Sequence, residues 1–111
     1  MIKRSTPHSG RNHRVVRWLA ASLFLAVTEC GNTVFVFRVN SASSKLEEAK
    51  ELGAERLAPY EYFVAKEHLE KARSEAADAD YSDAINFAEV SEEYADKAIR
   101  LSREAHRGAG R

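Results

Sequence analysis

The region after residue 60 repeats its apolar positions at spacings of three and four, the period of an amphipathic helix. Two such series follow each other, separated by a short polar stretch. Their members are Tyr62, Ala65, Leu69, Ala72 and Ala76 in the first, and Ala84, Ala88, Ser91, Ala95, Ala98, Ser102 and Ala105 in the second. Most are small, and larger apolar residues flank the second series. The pattern predicts two helices whose backbones approach closely along a heptad seam.

Local signals mark where these two helices begin. Pro59 suits the first position of the earlier helix, since its missing N–H has no helical partner there. Asp80 followed by Asp83 predicts a capped start for the later helix. The turn between the two helices is predicted at Ala79 and Asp80, and so short a turn predicts an antiparallel hairpin.

A shorter helix is expected before the hairpin. Ser44 and Glu47 have the spacing of a capping box, and Gly53 is suited to end the helix that it opens. Its apolar positions are Leu46, Ala49 and Leu52. Residues 40–107 show no strand pattern. The sequence therefore predicts an all-α fold: an antiparallel helical hairpin with a shorter N-terminal helix, resembling a three-helix bundle, preceded by a signal or anchor segment.

The first 29 residues have the layout of a secretory signal. Five basic residues, Lys3, Arg4, Arg11, Arg14 and Arg17, precede an uncharged run at residues 18–28. That run is too short to cross a bilayer alone, which takes about 20 apolar residues, but it suits the central region of a signal. The basic residues also predict that whatever follows lies outside the cytoplasmic membrane.

Cys30 stands directly after this run, in the context LAVTECG at residues 25–31. This context resembles the lipobox of bacterial lipoproteins, in which the cysteine is acylated and becomes the mature N-terminus. Glu29 departs from the pattern, because a small residue normally precedes the cysteine. Two other interpretations stay open: Cys30 is an incidental small apolar residue, or residues 18–37 remain uncleaved as a signal anchor interrupted only by Glu29.

These signals divide the chain into four parts. We expect a signal peptide or signal anchor at residues 1–29, a linker at 30–43, the helical domain at 44–107 and a flexible tail at 108–111. The 17 basic and 17 acidic residues cancel overall, but the excess of positive charge lies in the leader and the helical part is acidic. Nucleic-acid binding is therefore not expected.

Candidate chemistry is sparse. A single cysteine excludes an intramolecular disulfide and the usual zinc patterns. His68 is the one histidine predicted on a folded helix, and no second histidine stands three or four residues from it. Neither a nucleophile motif nor a phosphate loop occurs. We expect no catalytic residue, metal, cofactor or small-molecule substrate, and hence no enzyme.

Clustered tyrosines serve in cores as well as in interfaces. Tyr62 lies on the predicted seam and Tyr81 at the turn, which favours packing for both. Tyr60 and Phe63 project to other sides of the same helix. These two residues are the predicted partner surface.

Several segments of the chain resemble one known family. They are residues 40–49, 52–55, 58–62 (APYEY), 65–72 and 80–81, together with Ala84, Ala88, Tyr94, Ala95 and Ala98. The chain is similar there to small helical lipoproteins of Gram-negative envelopes, the family known as domain of unknown function four-three-nine-eight. The resemblance extends over roughly residues 30–107. It implies acylation of Cys30, a periplasmic helical domain and, in some relatives, a neighbouring peptidoglycan-binding domain, but no activity.

The sequence thus predicts an exported, lipid-anchored, non-catalytic helical protein that acts as an interaction or structural module in the bacterial cell envelope. It would meet the membrane through its lipid or signal anchor, and an envelope protein or a second copy of itself through its helices. Gly31 after Cys30 favours the periplasmic side of the outer membrane over the inner one, by analogy with lipoprotein sorting. The alternative is a signal-anchored, tetratricopeptide-like adaptor for a peptide or protein, suggested by the twelve-residue spacing of Ala72 and Ala84.

Overall fold

The computed structural model describes residues 30–111, with side chains from residue 32 onward. Four helices occupy most of this part of the chain: α1 (Cys30–Glu51), α2 (Ala54–Leu57), α3 (Pro59–Ala77) and α4 (Tyr81–Ala109). The same residues contain no strand, so the predicted all-α class is confirmed. The predicted leader at residues 1–29 lies outside the described residues.

The three long helices pack as an up-down-up bundle. Contacts between α3 and α4 run in opposite directions along the chain, from Tyr60 against Tyr94 to His68 against Phe87, which confirms the predicted antiparallel hairpin. Contacts between α1 and α4 instead run in the same direction. Arg38 pairs with Glu89, and Lys45 pairs with Asp96 further along both helices. Helix α1 is therefore parallel to α4 and antiparallel to α3.

Helix α1 is longer than the sequence predicts. It begins at Cys30, not at Ser44, and its 22 residues exceed the 19 of α3, although they fall short of the 29 of α4. Residues 30–43, expected as a linker, are helical, and Ser44 lies inside the helix. The prediction relied on a local cap signal, whereas packing extends this helix: Ala42 is fully buried. Tertiary contacts routinely outweigh local preference in this way.

The turns follow the signals in the sequence. Gly53 adopts a left-handed conformation at φ 78° and donates its N–H to the carbonyl of Lys50, which confirms it as the end of the first helical segment. Pro59 begins α3. At the hairpin turn, the carboxylate of Asp80 accepts a 3.2 Å hydrogen bond from the N–H of Asp83, confirming the predicted cap. Ala79 takes a positive φ of 62° in this turn.

The buried interior is made largely of alanine. It comprises Ala42, Ala49, Ala54, Ala58, Ala65, Ala72, Ala84, Ala88, Ala95 and Ala98, with Tyr62, Leu69 and Ile99 as the larger members. The predicted seams are confirmed except at their last members, Ala76 and Ala105, which are only half-buried. Such small side chains bring the helix axes close together, but each buries little apolar area. The larger residues Tyr62 and Ile99 fill the end of the bundle where α2 lies.

Surface charges pair both within helices and between them. Glu93 pairs with Lys97 at 2.7 Å, and Lys71 pairs with Glu75, each at the four-residue spacing of a helix. Asp96 pairs with Lys45 on α1. Sequence spacing cannot foresee the last of these, because it depends on which helix lies alongside. Helix α4 also continues to Ala109, two residues into the segment expected as a tail.

Candidate functional site

The first turns of α1 carry an exposed apolar patch. Phe37 leaves 69% of its surface exposed, and Val34 and Val36 are about half exposed. They follow the predicted lipidation residue Cys30, the first residue of α1, within two turns of the same helix. The neighbouring Phe35 turns inward, with its ring 5.9 Å from that of Tyr81 at the start of α4. This stretch of α1 therefore has one face in the bundle and another facing solvent.

The predicted partner residues Tyr60 and Phe63 lie in the first turns of α3, at the end of the bundle away from the hairpin turn. Both are exposed, at 66% and 47%. Each rests on a more buried ring: Tyr60 meets Tyr94 edge-on at 6.2 Å, and Phe63 meets Tyr62 edge-on at 5.3 Å. Exposed aromatic rings held from below by others are suited to contact a partner.

An aromatic row that sequence reasoning missed continues from Tyr60 along the groove between α3 and α4. Tyr94 stacks on His68 at 6.5 Å, and His68 contacts Phe87 at 5.9 Å. The imidazole Nδ1 of His68 lies 2.9 Å from the carbonyl of Val64, which holds the ring in place. The ammonium group of Lys97 lies 4.5 Å from the centroid of the Tyr94 ring. These contacts account for the position of His68.

A polar cluster fastens α1 to α4 midway along the bundle. Glu92 lies at its centre, accepting a 2.8 Å hydrogen bond from Ser41 and pairing with Lys45 at 2.9 Å and Arg38 at 3.5 Å. Burial opposes ionisation of Glu92, but hydrogen bonds from Lys45 and Ser41 outweigh it and lower its pKa. Hydrogen bonds to Asp96 and then Glu92 raise the pKa of Lys45. Both groups are therefore held in their charged forms.

A cleft of about 690 Å³ lies where the end of α1 meets the last turns of α4. Leu52 and Ile99 contribute apolar surface to it. Three arginines at spacings of three and four, Arg100, Arg103 and Arg107, line it together with Asp96 and His106. The imidazole Nε2 of His106 lies 2.9 Å from the carbonyl of Leu52 and so links the two helices beside the cleft.

Within residues 30–111, no group of three or more His, Cys, Asp or Glu side chains is placed to hold a metal ion. No helix in this part of the chain is long and apolar enough to cross a membrane. Three features of this part of the chain are suited to binding: the apolar patch, the exposed Tyr60 and Phe63 with the aromatic row, and the arginine-lined cleft.

Comparison with known proteins identifies the family of this helical bundle. The model of the family described as "Domain of unknown function (DUF4398)" matches residues 38–108, well over half of the chain. The chain belongs to this family. No curated protein and no solved structure matches it. The DUF4398 match confirms the resemblance drawn from the sequence and assigns no activity.

The DUF4398 segment covers most of the packed bundle. It starts at Arg38, the first α1 residue with an ion pair to α4, and ends one residue before the end of α4. Cys30 and the exposed apolar patch precede it, although the resemblance was expected to begin at Cys30. The polar cluster, Tyr60, Phe63 and the cleft all fall inside it.

Two features could have been found from spacing alone. Phe87 and Tyr94 are seven residues apart, so they share a helix face, and Arg100, Arg103 and Arg107 do the same. The sequence could not show which other segment of the chain completes each site. His68 joins the aromatic row from α3, and Leu52 joins the cleft from the turn that follows α1.

Proposed function

We propose that the protein is exported, acylated at Cys30 and held on the periplasmic side of the cell envelope as a non-catalytic interaction or structural module. The observation that carries the proposal is the exposed patch of Val34, Val36 and Phe37 in the first turns of the helix that begins at Cys30. Exposed aromatic and aliphatic residues beside an anchor point are suited to the interfacial region of a membrane. The signal-like leader at residues 1–29 would direct the chain to export.

Packing of α1 favours a lipid anchor over a signal anchor at residues 18–37. Such an anchor would need Phe35 in the bilayer, but its ring contacts Tyr81, which stands between Asp80 and Asp83. Burying those carboxylates in hydrocarbon would be costly. Acyl chains at Cys30 leave the bundle outside the membrane, because each buried methylene contributes about 0.8 kcal/mol and two or more chains suffice for stable attachment.

Helix lengths favour a self-contained bundle over the tetratricopeptide-like adaptor. A unit of that repeat is about 34 residues long, whereas α3 and α4 alone have 19 and 29 residues. Helix α1 already covers one side of the hairpin, where a stacked array would place the next repeat. Tyr60 and Phe63, together with the aromatic row, are the surface that we assign to an envelope partner or to a second copy of the chain.

The intact mass of the protein purified from its native membrane tests this proposal. An acylated protein cleaved before Cys30 would have lost residues 1–29 and gained the mass of its acyl chains. Labelling with a fatty-acid analogue should mark the wild type and leave Cys30→Ser unmarked. An unlabelled protein of full-length mass that still sediments with membranes as Cys30→Ser would overturn the lipid anchor and support the signal anchor.

A further inference from the structure

The cleft between the end of α1 and the last turns of α4 combines two kinds of surface. Ile99 is only 6% exposed and, with Leu52, gives it an apolar part. Arg100, Arg103 and Arg107 give it a cationic part. Its volume of about 690 Å³ falls within the range of small-molecule sites, roughly 300 to 1,000 Å³.

The arginines retain donors for a ligand. Arg100 uses Nη1 on Glu104, and Arg103 uses Nη2 on Glu48, which leaves further guanidinium N–H groups on each. Arg107 has no ion pair with any residue from 32 to 111. The one acidic residue that lines the cleft, Asp96, is already paired with Lys45 at 2.6 Å. The cleft therefore offers uncompensated positive charge at Arg107.

We propose that this cleft binds an anionic amphiphile, a small molecule with a carboxylate or phosphate head group and an alkyl chain. The head group would take the free guanidinium donors of Arg107 and its neighbours, since arginine suits both kinds of oxyanion. The alkyl chain would cover Leu52 and Ile99. An inorganic anion would leave that apolar surface uncovered, and a neutral alcohol would leave Arg107 without a partner. The site is independent of Cys30 and of the membrane anchor.

Methyl NMR of the full-length chain tests the site directly, because Leu52 and Ile99 carry methyl groups. Decanoate and decyl phosphate, each below its micelle concentration, serve as the two head-group probes. Decanol and inorganic phosphate serve as probes that each lack one half of the chemistry. We expect saturable shifts of the Leu52 and Ile99 methyls with decanoate, decyl phosphate or both, and the tighter of the two identifies the head group.

Arg107→Gln should weaken that binding about tenfold, the effect of one charge-assisted contact. Arg107 is exposed, so the variant should keep the wild-type melting temperature. Lys66→Gln, which removes an exposed cation from α3 on another face, is the matched control and should bind like the wild type. Any effect of the leader on the probes is common to all three proteins and cancels in the comparison.

Three results would overturn the proposal. Decanol binding as tightly as decanoate would mean that the cleft recognises only the chain. Equal affinity in Arg107→Gln and the wild type would remove the head-group contact. An acidic peptide that shifts the same methyls, when neither decanoate nor decyl phosphate does, would identify the cleft as a protein-binding site instead.

Discussion

The hydroxyl of Ser91 donates a 2.6 Å hydrogen bond to the main-chain carbonyl of Ala65, linking α4 to α3 inside the alanine seam. Ser102 lies on the same seam, equally buried, but its hydroxyl has no partner among the residues that the structure describes. The two serines occupy equivalent positions with opposite hydrogen-bonding states. They should therefore respond oppositely to loss of the hydroxyl.

Ser91→Ala should lower the free energy of unfolding by about 1 kcal/mol, the net worth of a buried hydrogen bond. Ser102→Ala should raise it by a similar amount, about 1 kcal/mol, because it removes a buried hydroxyl that lost its water without gaining a partner. Urea unfolding followed by circular dichroism measures both. Each variant is the control of the other, since both replace a seam serine by alanine on one helix. A loss of stability in Ser102→Ala would show that its hydroxyl does have a partner.

The left-handed residues of the two turns give a second prediction. Ala79→Gly should stabilise the protein by about 0.5 to 1 kcal/mol, because alanine is strained at its φ of 62° and its exposed side chain contributes little buried surface. Gly53→Ala should destabilise it by about 1 kcal/mol for the same reason, even though the added methyl group would meet only Leu57 at 3.8 Å. Melting temperatures measure both changes. Ala77→Gly, two residues before Ala79 but in helical conformation, should lower the melting temperature.

Glu92 makes stability depend on pH. Its pKa is lowered in the folded state, so it stabilises the fold fully above 4.5, the ordinary glutamate pKa, and this contribution disappears as the pH falls below that value. Glu92→Gln should be less stable at pH 7 and should lose less stability between neutral pH and acid than the wild type does. Thermal unfolding across that range measures the slope. The matched control is Glu67→Gln, an exposed α3 residue outside the polar cluster, which should keep the wild-type slope.

The length of α1 predicts that a fragment starting at Ser44 is incomplete. Relative to a fragment of residues 31–111, a fragment of 44–111 loses Ala42, the ring contact of Phe35 with Tyr81 and the ion pair of Arg38 with Glu89. We expect it to be less stable by about 2 kcal/mol or more, most of it from lost apolar burial. A fragment of residues 31–107 omits only residues 108–111, which are exposed, and should match the 31–111 fragment in thermal unfolding. Equal stability of all three fragments would mean that the first half of α1 contributes nothing to the bundle.

Glu29 gives a prediction for export. A charged residue before the cysteine fits a small-residue pocket poorly and is costly to desolvate near the membrane. Glu29→Gly should therefore increase the share of protein cleaved at Cys30 and labelled by a fatty-acid analogue, measured as the ratio of mature to precursor bands. Glu29→Gly combined with Cys30→Ser should abolish both signals. An unchanged ratio in Glu29→Gly would show that Glu29 does not limit processing.

The fold was predictable where its determinants are local. The seams containing Leu69 and Ala95, the cap of Asp80 on Asp83, and Gly53 as a helix end all follow from spacing and backbone preference, and the structure confirms each. The start of α1 was not predictable in this way. Its first residues include Thr33, Val34 and Val36, which have modest helix propensity and are exposed, so no local signal predicts a helix there.

The candidate sites also differ in whether one helix or two helices define them, and only the first kind could be predicted from the sequence. Tyr60 and Phe63 were identified because they lie off the seam of their own helix, which sequence can show. The cleft and the aromatic row each need two helices at a particular register, such as His106 beside Leu52 or His68 beside Phe87. That register is set by the alanine interior and by the α1 to α4 ion pairs, which involve residues about 50 positions apart.

The parallel course of α1 and α4 has a mechanical consequence. Because both helices run the same way, α1 begins at one end of the bundle and α4 finishes at the other. Tension between these two ends would load the α1 to α4 interface in shear along its whole length, so that Arg38, Lys45 and Arg103 would share the force with their partners instead of giving way one at a time. If the start of α1 is the point of attachment to the envelope, as proposed, the end of α4 lies about 43 Å along the bundle from it, the length of its 29 residues.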